Sequence, residues 1–283
     1  PTAALTLAQE GNGKGSFTTD TPQRRFVIFD TGREYPQPES VGGVPNQNLH
    51  ADHDIDYIIA VPTGGKLTAQ AERLAELHRQ RGLSVKVVPA NLLYNEFSSG
   101  TPDANALRRY LKMLYDRAAT PDKAPRYLLL MGKSPWDNRF VTEEWKNANV
   151  DDYLLAYEYD ASTQSIGTVS SFVTDDFYAL LDDGEGKYIY SEKVDLSTGR
   201  MVCTTEEEAK IFVDKVERYL KNEDAGPWKN RIVMMADDGD SNEHAEDAER
   251  VSKTIAQSGK KRFTIDKVYW DYYTRVPGAT SLT

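Results

Sequence analysis

The side chains best suited to chemistry crowd into one acidic bend near the C-terminal end of the sequence. Asp237, Asp240 and His244 lie there, where an apolar run at 232–236 is followed by a helical pattern that begins near residue 242. Carboxylates and an imidazole in such a place can orient a substrate or another catalytic group. In open α/β sheets, ligands bind where strands end and helices begin. The alternative is a solvated turn in which Asp240 or Ser241 caps the helix.

A second acidic group lies upstream and consists of Asp175, Asp176, Asp182 and Asp183, with Glu185 close by in sequence. Carboxylate oxygens are the ligands that Ca²⁺ prefers, and a calcium site needs no fixed spacing between them. Acidic turns are also commonly just solvated. The sequence therefore leaves a structural Ca²⁺ ion at these four aspartates open, and it predicts no required cofactor.

Cys203 is the only cysteine, so the chain cannot form an internal disulfide. It lies between Arg200 and a capping box that opens a helix at Thr205. A nearby cation and a helix N-terminus both favour the reactive thiolate. A small residue packed in the core is the alternative that we favour.

A glycine-rich turn at 63–68 follows an apolar strand and precedes a helix, which is a setting that attracts anions. Its sequence, Thr-Gly-Gly-Lys-Leu-Thr, does not match the phosphate-binding loop of nucleotide-binding proteins. A calcium- or nucleotide-dependent regulatory domain therefore remains only a third hypothesis for the function.

Hydrophobic periodicity predicts the elements that must position these groups. Apolar runs at 57–61 and 127–131 predict buried strands, and 84–88 predicts another. Amphipathic helices are predicted from 67 to about 81 and from 103 to about 119. The alternation of strands and helices predicts a parallel sheet with right-handed crossovers. Further along, we predict helices from 205 and from about 242 to 257, with strands at 232–236 and 263–269.

The composition excludes several classes of protein. With 283 residues and 39% hydrophobic content, the chain can form a packed core. Acidic residues outnumber basic ones by 44 to 34, and the net charge of −10 repels phosphate backbones, so nucleic acid is not an expected partner. No apolar run approaches the roughly 20 residues of a membrane-spanning helix.

Three stretches of sequence are too specific to be general turn chemistry. They read Leu-Tyr-Asn-Glu-Phe-Ser-Ser-Gly-Thr-Pro-Asp at 93–103, Asn-Gln-Asn-Leu-His at 46–50, and Val-Thr-Asp-Asp-Phe-Tyr-Ala-Leu-Leu-Asp-Asp at 173–183. From about residue 47 to residue 273 the chain resembles the gingipain-like cysteine peptidases. The resemblance implies a caspase-like three-layer α/β/α fold with a mainly parallel sheet, preceded by the end of a β-rich domain.

The same resemblance implies a division into three parts. Residues 1–53 would be the end of the β-rich domain and a linker. Residues 54–192 would be a non-catalytic α/β subdomain with a long irregular insertion, and 193–283 would begin the catalytic subdomain. The family's catalytic His and Cys are expected beyond the point that matches Leu282, so we expect the chain alone to be inactive.

Within the family, the chain resembles the branch that acts in type IX secretion, which removes the C-terminal signal domain of secreted cargo as a signal peptidase and sortase. By resemblance, Asp237 would support the absent catalytic His, while Asp240 and His244 would contact the substrate. Secreted cargo and outer-membrane secretion components would be the partners, at the bacterial cell surface. Lys133 departs from the family, which commonly has Asp at this position after the glycine.

A non-catalytic scaffold with the same fold is the alternative function. It would bind secretion partners or cargo through the irregular segment at 132–199, which is rich in Tyr and Asp. In the sequence after residue 283, an apolar strand that ends in His-Gly, followed by another that ends in Cys, would favour the enzyme over the scaffold.

Overall fold

The structure is a computed structural model that describes residues 8–10, 14–18, 27, 30, 32–37, 39–40, 42–159, 172–189, 191–237, 239–258 and 262–273. The chain divides into a unit at Pro1–Asn46 and a larger unit at Gln47–Thr283. Among the described residues, no helix has both the length and the apolar character needed to cross a bilayer.

The elements follow one another in a mixed α/β order. The strands are β1 Ala8–Glu10, β2 Lys14–Ser16, β3 Tyr57–Val61, β4 Val85–Pro89, β5 Tyr127–Met131, β6 Tyr157–Glu158, β7 Val173–Thr174, β8 Ser197–Met201, β9 Arg231–Ala236 and β10 Thr264–Tyr269. The helices are α1 Thr68–Arg79, α2 Ala90–Phe97, α3 Ala104–Arg117, α4 Glu206–Lys221 and α5 Glu243–Gln257. In the first unit, β1 and β2 pair antiparallel.

A four-stranded parallel sheet forms the centre of the second unit, in the order β4-β3-β5-β8. Alternate residues of β3 point to opposite faces, and both faces are buried. Ile58 and Ala60 pack with α2 and α3, whereas Ile59 and Val61 pack with α1 and α4. A mainly parallel sheet with helices on both faces is consistent with a caspase-like fold, which confirms the predicted fold class.

The strands with continuous apolar runs were predicted to the residue, since β3 and β5 span 57–61 and 127–131. The capping box also forms: the Thr205 side chain accepts from the backbone of Glu208, and the Glu208 side chain accepts in return. In and around the central sheet, α2 and β8 were not predicted, and the short strands β1, β2, β6 and β7 were not predicted either. The segment at 197–221 joins the central sheet, because β8 pairs with β5 and α4 packs on α1.

A second parallel sheet consists of β9 and β10, covered on one face by α5. Met234, Ala236, Ala245 and Tyr269 pack between this sheet and the helix. The prediction that 232–236 is a buried strand is wrong in one respect. Val233 is 56% exposed and Met235 is 74% exposed. Among the described residues only α5 covers this sheet, so the opposite face of β9 contacts solvent.

The Glu96 carboxylate ties the start of the second unit to α2. It accepts from the backbone N–H of Leu49 at 2.6 Å, from Gln47 Nε2 at 2.9 Å and from His50, whose Nδ1 lies 2.5 Å away. Burial opposes ionisation of this carboxyl group, but the hydrogen bonds outweigh burial and lower its pKa to about 2. Two of the specific stretches of sequence, 46–50 and 93–103, therefore meet at one carboxylate.

Glu96→Gln is expected to lower the free energy of unfolding by about 3 kcal/mol at pH 7, since the pKa falls from 4.5 to about 2 on folding. A carboxyl group with a lowered pKa stabilises the fold above its unfolded pKa and loses that effect as pH falls. The difference in unfolding free energy between wild type and variant should thus be constant above about pH 5 and should shrink between pH 4.5 and 2.

Urea unfolding followed at several pH values measures this difference. Glu72→Gln is the matched control, because Glu72 is 51% exposed and pairs with Arg79 on the surface. Glu72→Gln should change the free energy of unfolding by less than about 0.5 kcal/mol. Equal effects of the two substitutions would contradict the assigned role of Glu96.

Candidate active site

The acidic bend lies at the carboxyl edge of the second parallel sheet. Ala236 of β9 pairs with Tyr269 of β10, and both strands run in the same direction. Asp237 and Trp270 therefore leave the sheet at the same edge, where catalytic and binding groups commonly lie in α/β proteins. Asp237 is exposed and follows the strand directly.

The backbone of the bend turns sharply before α5 begins at Glu243. Asp240, Ser241 and Asn242 all have positive φ, at 48°, 60° and 71°. The left-handed conformation costs roughly 1–2 kcal/mol per residue, and Asp and Asn tolerate it better than Ser. Such conformations cluster at functional sites. The bend brings two of the predicted residues together, because His244 Nε2 lies 3.2 Å from Asp240 Oδ2.

Both members of this pair remain open to solvent, since the side chains of His244 and Asp240 are 58% and 78% exposed. A groove of about 610 Å³ begins beside the bend at Asn242 and runs along α5 to Gln257. Tyr269 and Tyr272 line its opposite side. The edge of the sheet thus offers carboxylates and an imidazole to a molecule that approaches from solvent.

Ser241→Gly is expected to raise the free energy of unfolding by about 1 kcal/mol, because glycine adopts φ near 60° without the steric cost of a Cβ atom. Ser258→Gly is the control, since Ser258 has φ of −62°. At this position glycine relieves no steric strain, so Ser258→Gly should lower the free energy of unfolding by roughly 0.5–1 kcal/mol. Urea unfolding measured by tryptophan fluorescence reports both changes. A lower free energy of unfolding in Ser241→Gly would show that the backbone at Ser241 is not strained.

The four aspartates predicted to hold Ca²⁺ are not brought together. Asp175 pairs with Arg200, and Asp183 pairs with Lys112 at 2.8 Å. Asp182 accepts from the Tyr115 hydroxyl at 3.0 Å. Asp176 begins a short 3₁₀ helix. Within the described ranges, no group of three or more Asp, Glu, His or Cys side chains is arranged to hold a metal ion.

Cys203 is a core residue, 1% exposed, packed with the face of the sheet that α1 and α4 cover. Burial and, to a smaller degree, the charge of Glu208 raise the pKa of its thiol to about 11. The structure therefore confirms the interpretation that we favoured, in which Cys203 is a packed core residue. The thiol is thus protonated at neutral pH, although α4 begins three residues further on.

All four histidines of the sequence lie in the described part of the chain, and each contacts a residue other than Cys203. His50 contacts Glu96, His53 contacts Asp54, and His244 contacts Asp240. His78 packs edge-on against Tyr57, and burial lowers the pKa of its imidazole. The described residues thus contain no Cys–His pair of the kind that a cysteine peptidase uses.

The glycine-rich turn after β3 is occupied by the chain itself. The Gly64 N–H donates to the carbonyl of Asp151 at 2.7 Å, and Lys66 pairs with Asp152 at 2.6 Å. A Cβ atom on Gly64 would lie 2.9 Å from the same carbonyl oxygen, so this contact requires glycine. The Gly64 N–H and the Lys66 ammonium, which could have contacted a phosphate, therefore already have partners.

Arg200 is a largely buried structural residue whose contacts sequence reasoning missed. It lies on β8 with its side chain 10% exposed, and it forms two bonds to Asp175 at 2.7 and 2.8 Å. It also donates to the carbonyl oxygens of Gly132 and Leu154 at 2.9 and 3.3 Å. One guanidinium thus fixes three loops at the carboxyl edge of the central sheet. In the sequence, the only sign of this network is an arginine that follows an acidic insertion. No local pattern indicates which carboxylate the arginine contacts.

Lys133, the departure from the family, lies next to this network. Its backbone N–H donates to the carbonyl of Cys203 at 3.0 Å. Its ammonium lies 5.8 Å from the centre of the Trp145 ring, a distance at which a cation and an aromatic face attract each other. The lysine therefore has a packing role where a carboxylate would be expected.

A central parallel sheet between helices, with an acidic bend at a carboxyl edge, is the architecture of a caspase-like peptidase domain. The chain matches the model of peptidase family C25 over residues 50–282. It therefore belongs to this family, the gingipain family of cysteine peptidases.

A solved structure agrees with this assignment. The chain is 39% identical to PorU from Porphyromonas gingivalis, solved as a dimeric latent form, with a TM-score of 0.59 over 68% of this chain. It spans 18% of the PorU chain. The solved structure of a protease is 16% identical over 66% of this chain and 33% of its own, with a TM-score of 0.43. Comparison with curated proteins found no match.

Proposed function

We propose that the complete protein is a cysteine endopeptidase that processes the C-terminal signal of secreted cargo in a type IX secretion system. The observation that carries this proposal is the acidic bend at the carboxyl edge of β9 in a chain of family C25. Asp237 leaves the sheet there, three residues before Asp240, whose carboxylate His244 contacts. The 39% identity to PorU supports the secretion role in particular.

In this proposal the nucleophilic Cys and its His come from sequence beyond residue 283. The His takes the thiol proton, the thiolate attacks the scissile carbonyl, and the protonated His then donates its proton to the leaving amine. Water resolves the acyl-enzyme to give cleavage, whereas an amine resolves it to give ligation. Asp237 would orient the imidazole and stabilise its protonated form, while Asp240 and His244 would contact the substrate.

The partners would be cargo proteins with a C-terminal signal domain and outer-membrane secretion components, at the bacterial cell surface. Thiolate chemistry of this kind requires no metal or organic cofactor. A structural Ca²⁺ ion has no part in this mechanism, since Asp175, Asp183 and Asp182 pair with Arg200, Lys112 and Tyr115.

The proposal is tested in the source bacterium by deleting the parent gene and restoring it with either the wild type or a variant whose family-motif Cys is replaced by Ala. Cargo should keep its signal domain in the deletion strain and in the Cys→Ala strain, and lose it with the wild type. Mass spectrometry of surface proteins reads the cargo C-termini. Full processing with the Cys→Ala variant would overturn the enzymatic role and favour the scaffold.

A further inference from the structure

The central sheet has two edge strands, and the first of them, β4, is protected from pairing with another chain. The Ser84 carbonyl accepts from Tyr57 of β3, so the backbone groups of Val85 in β4 point away from the sheet. The Arg79 guanidinium donates to this free Val85 carbonyl at 3.0 and 3.2 Å. Pro89 ends β4 and has no N–H for a further strand. Charged side chains and proline are common means of protecting a sheet edge.

β8 forms the other edge and lacks such protection. Ser197 donates its N–H to the Arg126 carbonyl before β5, and the Met201 carbonyl accepts from the residue after β5. Successive residues of a strand direct their backbone groups to opposite sides, so those of Thr198 and Arg200 point away from β5. Within the described part of the chain, β8 pairs only with β5, and no hydrogen bond reaches the N–H and C=O groups of these two residues.

A groove of about 550 Å³ leads to this edge. Ser197 and Thr198 of β8 line it, together with the segment at 194–196 just before the strand. Gly199 is exposed, and a Cβ atom at this position would contact nothing within 4 Å. A second chain can therefore reach the first half of β8 from solvent.

Apolar surface and an unpaired negative charge flank the edge. Tyr127 is 39% exposed and Val194 is 51% exposed, and both line the groove. Asp176 also lines it, with an exposed carboxylate that pairs with no described residue. Arg126 is the only cation among the residues that line the groove, and it already pairs with Asp56 at 2.9 Å. The walls therefore favour a ligand that has apolar side chains and a positive charge.

The charge and the apolar surface lie on opposite faces of the sheet. The 3₁₀ helix that begins at Asp176 packs with Leu128 and Leu130 of β5. Alternate side chains of a strand point to opposite faces, so Tyr127 lies on the other face. An added strand would thus present its positive side chain to one face and its apolar neighbours to the other.

We propose that β8 binds an extended peptide as an added strand, and that this peptide carries a lysine or arginine between apolar β-branched residues. The peptide backbone would form hydrogen bonds with the free groups of Thr198 and Arg200. Its positive side chain would pair with Asp176, and its apolar side chains would contact Tyr127. Addition of a strand to an exposed sheet edge is a recurring mode of peptide recognition. The inference does not depend on the proposed function.

The test uses the whole 283-residue chain, isotopically labelled for NMR, and the end-capped peptide Thr-Thr-Val-Lys-Val-Thr-Thr as the probe. Titration should give saturable binding at millimolar concentration or below. The amide hydrogens of Thr198 and Arg200 should exchange with deuterated solvent at least fivefold more slowly when the peptide is bound. No saturable binding, or binding that leaves both amides unprotected, would overturn the proposal.

N-methylated peptides distinguish strand addition from contact through side chains alone. Methyl groups on the nitrogens of alternate residues block hydrogen bonds along one edge of the peptide only. One of the two alternately methylated probes should bind about tenfold more weakly than the unmethylated probe, and the other should keep its affinity. Equal affinities of the two methylated probes would contradict strand addition.

Two variants locate the binding at β8. Thr198→Pro removes a free N–H without removing a bond to β5, since an edge strand tolerates proline where its nitrogen faces solvent. It should weaken binding of the probe about tenfold, whereas Thr198→Val keeps the N–H and should bind as the wild type does. Wild-type affinity in folded Thr198→Pro protein would contradict the assignment. The methylated probes need only the wild type, so they decide the question even if Thr198→Pro fails to fold.

Asp176→Asn tests the charge. It should weaken binding of the lysine probe at least threefold and leave the affinity for a probe with norleucine in place of lysine unchanged. Equal affinity of Asp176→Asn and wild type for the lysine probe would show that Asp176 does not select a positive side chain.

Discussion

Replacing Asp237 by Asn in the full-length parent is expected to lower kcat/KM by about 10²- to 10⁴-fold. A carboxylate beside the catalytic imidazole holds the ring in its productive orientation and stabilises the imidazolium that forms with the thiolate. An amide has nearly the same shape but no charge. Steady-state kinetics with a peptide substrate give the size of the effect.

The pH profile separates this positioning role from a loss of structure. A carboxylate raises the pKa of the imidazolium that it contacts, so its removal should move the alkaline limb of kcat/KM to lower pH. Asp247→Asn makes the same change of charge on α5, where Asp247 is 55% exposed and pairs with Arg250. It should leave both rate and profile unchanged. A loss below threefold in Asp237→Asn, with an unshifted profile, would show that Asp237 does not support the imidazole.

Arg200→Met is expected to lower the free energy of unfolding by about 3–5 kcal/mol, the largest stability effect that we predict. The substitution leaves the Asp175 carboxylate without its counter-charge and the carbonyls of Gly132 and Leu154 without a donor. Removing one partner of a buried ion pair is far costlier than losing an exposed pair. Thermal unfolding should shift downward by on the order of 10 °C.

Two further variants make the cause clear. Arg218→Met removes an exposed arginine, 58% accessible and paired with Asp224, and should cost less than about 0.5 kcal/mol. The double variant Arg200→Met, Asp175→Leu removes both charges and should regain part of the lost stability. If Arg200→Met changed stability by less than 1 kcal/mol, the network around it would have no structural role.

The parts of the fold that could be predicted are those whose signal is local. β3 and β5 are buried on both faces, so each is an unbroken apolar run. β8 was missed because it lies at the edge of the sheet and contains a glycine and a buried arginine in place of apolar residues. α2 was missed because the chain passes from β4 into the helix with no intervening loop, and Pro89 both ends the strand and caps the helix.

The parts of the site that depend on distant partners could not be predicted. Asp175 and Arg200 are 25 residues apart, and Gln47 and Glu96 are 49 apart. No periodicity links such pairs, so the acidic insertion suggested a metal site instead. The bend after β9 was foreseen, since the end of an apolar strand and the start of a helix are both local signals. Its left-handed backbone was not, because Ser241 carries no preference for that conformation.

The central claim is that this chain supplies the supporting acid of a cysteine peptidase whose nucleophile lies elsewhere. Labelling the native full-length parent with a thiol-directed electrophile, followed by peptide mapping, tests it most directly. We predict that activity is lost with a label on a cysteine beyond residue 283. Cys203, at 1% exposure and with a thiol pKa of about 11, should be labelled only after unfolding. Loss of activity with the label on Cys203 would contradict the account.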